Sequence, residues 1–193
     1  WSKSIDRSLE MADEAAHKAL DLDDSDPDAC VLLGSIYRMR GESDRALELC
    51  QKAAALSPGT ADMQAFLANS LLFAGRAQEA IRYIEKAMRL APIYPHWYRL
   101  ILGHCLSKLG ETDKAIGVLN ELVALAPESP MPRLSLVAVL TKGGLSKEAK
   151  TVAGDVLRLE PTISVKGFVQ GYHHDPAERE KLLTNLLEAG LPE

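Results

Sequence analysis

The sequence predicts an all-α fold, a solenoid of stacked helix pairs. Three observations predict it. The first is a period. Gly41, Gly75, Gly110 and Gly144 recur at intervals of 34, 35 and 34 residues. Pro58, Pro92, Pro127 and Pro161 keep those intervals, as do Ala46, Ala80, Ala115 and Ala149, with Ala12 34 residues ahead of Ala46. Leu33, Leu67, Leu102 and Leu136 form another series, and Leu22, Leu56, Leu90, Leu125 and Leu159 a fifth. The single 35 places one extra residue near Pro95. The second observation is composition. Apolar residues make up 47%, too many for a disordered chain. Aromatics reach 5%, and Ala and Leu dominate the apolar set, which favours helices over a β-sandwich. The third is periodicity within each unit. Apolar residues fall at i, i+3, i+4 and i+7, so one helix pair cannot bury its face alone and neighbours must stack on it.

The elements follow in order. Residues 1–26 read as the second half of an earlier repeat, with Ala12, Ala19 and Leu22 at second-helix places. Its first helix is mostly missing and there is no initiator Met, so the expectation is a piece of a longer protein. Four full units occupy 27–60, 61–94, 95–129 and 130–163. In these units Gly34, Ala68 and Gly103 let the second helix approach the first, and the alanine series does the same from the other side. The recurring Gly closes the first helix in the left-handed conformation. The recurring Pro ends the second helix or starts the next. Residues 164–193 read as an extended tail and a capping helix, with 162–175 irregular or extended. Asp175-Pro176-Ala177-Glu178 is a helix start, with an N-cap, Pro at the first position and Glu three residues on. Leu182, Leu183, Leu186 and Leu187 make one apolar stripe, with Leu183 and Leu187 taken as structural. Gly190 then stops the helix and Pro192 follows.

Charge and motifs exclude several function classes. There are 27 acidic residues against 22 Lys and Arg, a formal charge of −5. That balance argues against nucleic acid as a partner of this chain, and against an anionic membrane surface. No apolar run approaches the ~20 residues of a membrane-spanning helix, and the opening Trp1-Ser2-Lys3-Ser4, with no apolar stretch behind it, leads to the expectation of no signal peptide. Cys30, Cys50 and Cys105 are odd in number with no C-x-x-C, and read as buried small hydrophobes in a reducing, cytoplasmic compartment. No nucleotide-binding, hydrolase or metalloprotease motif occurs, so no catalytic residue, metal or cofactor is assigned. His173 and His174 are adjacent, so in an extended segment they point to opposite sides and chelate poorly. With Asp175 they read as a loop leading into a helix.

The repeat resembles the tetratricopeptide repeat, whose pattern is W-x2-L-G-x2-Y, then A-x3-F, then P. The first full copy shows Leu33-Gly34, Tyr37, Gly41, Ala46, Ala53 and Pro58. The second shows Leu67-Ala68, Leu71, Gly75, Ala80, Ala87 and Pro92. The third has Leu102-Gly103, Leu106, Gly110, Ala115 and Pro127, and the fourth Leu136-Val137, Leu140, Gly144, Ala149 and Pro161. Cys30, Gln64, Arg99 and Arg133 stand where the motif has Trp. The resemblance implies a right-handed superhelix whose first helices line a concave groove. By that register the inward set is Val31, Ser35, Arg38 and Met39; Ala65, Asn69, Leu72 and Phe73; Trp97, Leu100, His104 and Lys108; and Met131, Leu134, Ala138 and Lys142. Relatives that bind chaperones hold terminal carboxylates with clustered Lys, Arg and Asn. Here Asn69 matches in type, but Arg38 and Lys108 stand isolated and no basic cluster is expected. The lane is mostly apolar. Leu72, Leu100 and Leu134 are read as packing or as contacts, and His104 as packing or groove-facing. The expected partner-binding groove is Ser35, Arg38, Asn69, Phe73, Trp97, Leu100, His104 and Met131. Its candidate ligand is a protein or peptide. The chain's own tail (Ile163, Val165, Phe168, Val169, Tyr172) is one candidate occupant, in cis or from a second subunit.

Two stretches carry a narrower resemblance. Ala91-Pro-Ile-Tyr-Pro-His-Trp-Tyr98 leads into Leu102-Gly103, and Tyr172-His-His-Asp-Pro-Ala-Glu-Arg-Glu-Lys-Leu-Leu183 closes with Ala189-Gly-Leu-Pro-Glu193. Both look like the carboxyl-terminal repeats of bacterial proteins that carry a class III adenylate/guanylate cyclase domain, or sometimes a winged-helix DNA-binding domain. The resemblance implies a regulatory module of a cytoplasmic signalling protein, with a sensory region of a transcription regulator as the alternative. Such cyclases act as dimers, so a homodimer is also implied. The cyclase's own catalytic residues match no position of this chain.

Overall fold

The computed structural model describes residues 2–172 and 176–193, with side chains from residue 7 to 169 and from 176 onward. It forms two compact units that meet in sequence at Tyr94 and Pro95. Unit 1 holds α1 (Ser2–Leu22), α2 (Pro27–Met39), α3 (Ser43–Leu56), α4 (Ala61–Phe73) and α5 (Ala77–Leu90). Unit 2 holds α6 (His96–Lys108), α7 (Thr112–Leu125), α8 (Pro130–Lys142), α9 (Ser146–Leu159), α10 (Val165–Tyr172) and α11 (Pro176–Glu188). Every regular element among the described residues is helical. Helices pack in consecutive pairs: α2 on α3, α4 on α5, α6 on α7 and α8 on α9.

The pair closes as the glycine series requires. Gly41, Gly75, Gly110 and Gly144 take φ of 83°, 77°, 79° and 78°. The residue after each donates its amide back to the helix: Glu42 to Tyr37 at 2.9 Å, Arg76 to Leu71 at 2.8 Å, Glu111 to Leu106 at 2.9 Å and Leu145 to Leu140 at 2.9 Å. This is the six-to-one bond of a left-handed helix cap, which satisfies an otherwise orphaned carbonyl. The small residues act as their spacing suggests. A Cβ on Gly34 would lie 3.0 Å from Cys50 Sγ, and one on Gly103 3.0 Å from Leu119. Ala46, Ala80, Ala115 and Ala149 are all buried. The extra residue sits in the connection Ala91–Pro95, one longer than its counterparts at 57–60 and 126–129.

The leading helix is tied to the first pair. Asp26 caps α2 by accepting from the Asp28 and Ala29 amides at 2.9 and 3.1 Å, with Pro27 at the first helical position. Ala16 of α1 joins Leu33, Tyr37 and Ala46 in one buried cluster. Asp13 pairs with Arg40 at 3.0 Å. Leu22 does not join the core. It is 83% exposed, and Leu56, Leu90 and Leu125 are also open, so this leucine series marks the last turn of each helix rather than its buried stripe.

The tail departs from expectation. Residues 165–172 are not extended; they form α10. Val165 and Val169, one turn apart, are both buried, and α10 packs on α11. That burial outweighs the poor helix propensity of Gly167. The Val165 amide donates to Pro192 O at 3.3 Å, closing the chain end back onto α10. Leu182 and Leu186 carry the burial of α11, whereas Leu187 is exposed, which corrects its assignment as structural. Gly190 ends the region with φ 92° and a Leu191 to Leu186 bond of 3.2 Å. Asp175, His173 and His174 lie outside the described residues.

Candidate partner-binding faces

In unit 1, α2 and α4 pack side by side and bring Ser35, Arg38, Asn69 and Phe73 onto neighbouring helices. The Arg38 guanidinium lies over the Phe73 ring, 4.7 Å from its centroid. Loss of water pushes the Arg38 pKa down, and no carboxylate pairs with it among the described residues. Below it Cys50 accepts from Ser70 Oγ at 3.1 Å, and burial pushes its thiol pKa up. Val31, Ala65 and Leu72 are buried, so they pack the helix interface and leave the open part to Ser35, Arg38, Met39, Asn69 and Phe73. Met39 is the most open of these, at 45%.

In unit 2, Trp97 is half-buried and meets Tyr98 edge to face, with ring centroids 4.6 Å apart at 82°. Tyr98 itself is fully buried and anchors the start of α6. Leu100 and His104 are half-buried on the same helix, and Met131 at the start of α8 is exposed. Leu134 is 1% exposed and is a core residue. The residues at the motif's Trp place are accommodated one by one. Cys30 and Gln64 are buried, Gln64 donating to Ala54 O at 3.3 Å. Arg99 pairs with Glu121 at 2.6 Å, and Arg133 donates to Pro127 O at 2.7 Å.

Lys108 is not isolated, which corrects the expectation of no basic cluster. Its ammonium pairs with Glu178 of α11, and α11 packs on α8. Lys142 donates to Ser107 O at 2.7 Å, and Lys181 reaches Glu178 at 3.5 Å. Burial, then the neighbouring Lys108, pushes the Lys142 pKa down. The hydrogen bond from Lys108 holds the Glu178 carboxyl below the usual range. Among the described residues, three lysines therefore gather around one carboxylate. The sequence could not give this: the Lys108–Glu178 pair spans 70 residues. The tail helix α10 packs on α11, and it is α11 that packs on α8.

Among the described residues, no three His, Cys, Asp or Glu come together to hold a metal, and no helix is long and apolar enough to cross a membrane. Cys30, Cys50 and Cys105 are free and buried, as expected.

Tetratricopeptide-repeat models match residues 29–64 and 71–140. The chain is a tetratricopeptide-repeat protein. The match to residues 29–64 falls on unit 1, and the match to 71–140 runs from α4 into α8. The chain is 36% identical over 81 residues to the transcriptional regulator HilA of Salmonella typhimurium, which is 42% of this chain and 15% of that protein. It spans 10% to 15% of the length of the curated relatives it matches. Among solved structures it is similar to PilW, a type IV pilus biogenesis factor, with a TM-score of 0.76 and 21% identity over 97% of this chain and 84% of the other. It is also similar to YrrB, a tetratricopeptide-repeat protein with an unusual peptide-binding site, with a TM-score of 0.59 and 21% identity over 91% and 92% of the two chains. At these identities the two structures speak to the fold. Tetratricopeptide repeats generally serve as scaffolds that bind peptides or proteins.

Proposed function

We propose that the chain is the interaction module of a longer signalling protein, and that unit 1 holds a partner peptide across Ser35, Arg38, Asn69 and Phe73. Arg38 carries this reading. Its guanidinium has lost water, is stacked on Phe73, and pairs with no carboxylate among the described residues. A desolvated cation lowers stability unless it is paired, so its presence on an open face is accounted for by an acidic group that arrives with the partner. Phe73 and Met39 offer adaptable apolar surface, and the Asn69 amide can bond a peptide backbone. Trp97, Leu100, His104 and Met131 are a second contact set, on unit 2. In this reading the described residues serve binding rather than catalysis. Its three buried free thiols support a reducing, cytoplasmic setting.

A peptide-display selection against the whole chain tests the Arg38 reading. Selected peptides are expected to pair an acidic residue with apolar neighbours. They should lose at least tenfold in affinity on Arg38→Gln or Phe73→Ala, with far-UV circular dichroism unchanged. Peptides that bind both variants as tightly as the parent would contradict it.

For the longer protein, the 91–98 and 172–193 stretches support a class III cyclase, in which this region regulates a catalytic domain and self-associates as a homodimer. The likeness to HilA supports the second reading, the sensory region of a transcription regulator. The gene sequence upstream of Trp1 separates the two, since a cyclase domain and a winged helix have unrelated motifs.

A further inference from the structure

The Lys108, Lys142 and Lys181 cluster has a composition that a simple end cap does not need. Glu178, Leu182 and Leu186 lie four residues apart along α11, so they share one face of the helix. Both leucines are buried and α11 packs on α8, while Glu178 pairs with Lys108 of α6. The α6–α8 face thus receives a helix by an apolar stripe with an acid one turn ahead of it. Among the described residues the charge is unbalanced: the face presents two ammonium groups, Lys108 and Lys142, α11 brings a third of its own, Lys181, and Glu178 is the one carboxylate they meet, while the Lys142 ammonium is already disfavoured by burial and by Lys108. Glu178 and Lys108 are each about a third exposed, at 35% and 34%, so the bond that holds the acid end of α11 is an open ion pair of modest strength.

We propose that this face is a docking site for an acidic amphipathic helix of a partner protein, and that α11 occupies it as an internal competitor. The partner helix carries two leucines four residues apart. One turn ahead of them it carries more than one acidic residue, which would balance Lys108 and Lys142 better than Glu178 does with Lys181 beside it on α11. Tethering gives α11 an effective concentration on the order of millimolar, so the partner prevails through the added charge rather than through a larger apolar stripe. The site is separate from the Arg38 face of unit 1 and does not depend on it.

The test uses the whole chain and a fluorescein-labelled peptide of residues 176–193, read by anisotropy. Glu178→Lys places a fourth cation in the cluster and weakens the internal competitor without altering the face. The peptide is expected to bind this variant at least tenfold more tightly than the parent. Lys108→Glu and Lys142→Glu added to Glu178→Lys should abolish the binding, and raised salt should weaken it. Glu178→Gln, which removes charge without reversing it, should give a smaller gain in the same direction. Arg38→Gln should leave peptide binding unchanged, which keeps this result separate from the unit 1 reading. Equal affinity for the parent, Glu178→Gln and Glu178→Lys would overturn the proposal, as would binding that ignores the lysine reversals. Sedimentation equilibrium covers the remaining occupant. A parent dimer that Glu178→Lys dissociates would mean that α11 of a second copy fills the face, and would overturn the assignment to a different partner.

Discussion

Adding one methyl group to Gly110 and to Gly117 should change stability in opposite directions, although the two lie seven residues apart. Gly110 closes α6 with φ 79°, and a Cβ there meets nothing within 4 Å. Its cost is therefore conformational. The left-handed region disfavours an L side chain by about 1–2 kcal/mol, which is offset by ~0.4–1 kcal/mol from a less flexible unfolded chain. The net loss is about 1 kcal/mol by that difference. Gly117 is exposed in the middle of α7, and its added Cβ also meets nothing. There alanine gains about 0.8–1 kcal/mol over glycine in helix propensity. The two variants should then differ by about 2 kcal/mol, or roughly 4–8 °C in Tm for a chain of this size. Thermal and urea unfolding followed by far-UV circular dichroism measure this directly. A neutral Gly110→Ala, or a destabilising Gly117→Ala, would refute the account of what each glycine does.

Other outcomes follow from the same structure. Asp26→Ala removes the side-chain acceptor for two α2 amides and should cost about 1 kcal/mol, whereas Asp26→Asn should cost a few tenths. Leu119, fully buried and in reach of Gly103, should lose about 2–5 kcal/mol as Leu119→Ala. Burial pushes the Cys105 thiol up to about 12, so a thiol reagent at pH 8 should spare it in the folded chain and modify it in guanidinium chloride. Lys108 lowers the Glu178 pKa below its unfolded value of about 4.3. A lowered carboxylate stabilises the folded form above the unfolded value, and that contribution fades as pH falls through the lower folded value. Hydrogen-exchange protection of α11 should drop across that acid window in the parent and stay flat in Glu178→Gln.

Whatever repeats along the chain was legible in the sequence, because each place in the repeat answers one local demand. Gly41, Gly75, Gly110 and Gly144 show their left-handed role through interval alone, and Gly34 and Gly103 their close approach. What depends on a single tertiary contact was not legible. Residues 165–172 carry Gly167, Gly171 and two valines, which suggests no helix until Val165 and Val169 find cover. Four leucines in α11 define a stripe but not which edge of it faces the protein, so Leu187 was misplaced. The proposed binding lane divides in the same way. Its register placed Arg38 and Phe73 on adjacent helices, but the loss of water at the guanidinium depends on how α2 and α4 meet. Lys108 was placed correctly along α6, and only the return of the chain 70 residues later gives it Glu178.

The proposed partner face of unit 1, formed by α2 and α4, can be tested inside the cell. The most direct measurement is site-specific photo-crosslinking in the cell of origin. A benzophenone amino acid replaces exposed Met39 in one variant and exposed Glu85 of α5 in another. A discrete adduct is expected from position 39 that disappears when Arg38→Gln is added, and none from position 85. An adduct from position 85 with none from position 39, or one from position 39 that survives Arg38→Gln, would contradict it.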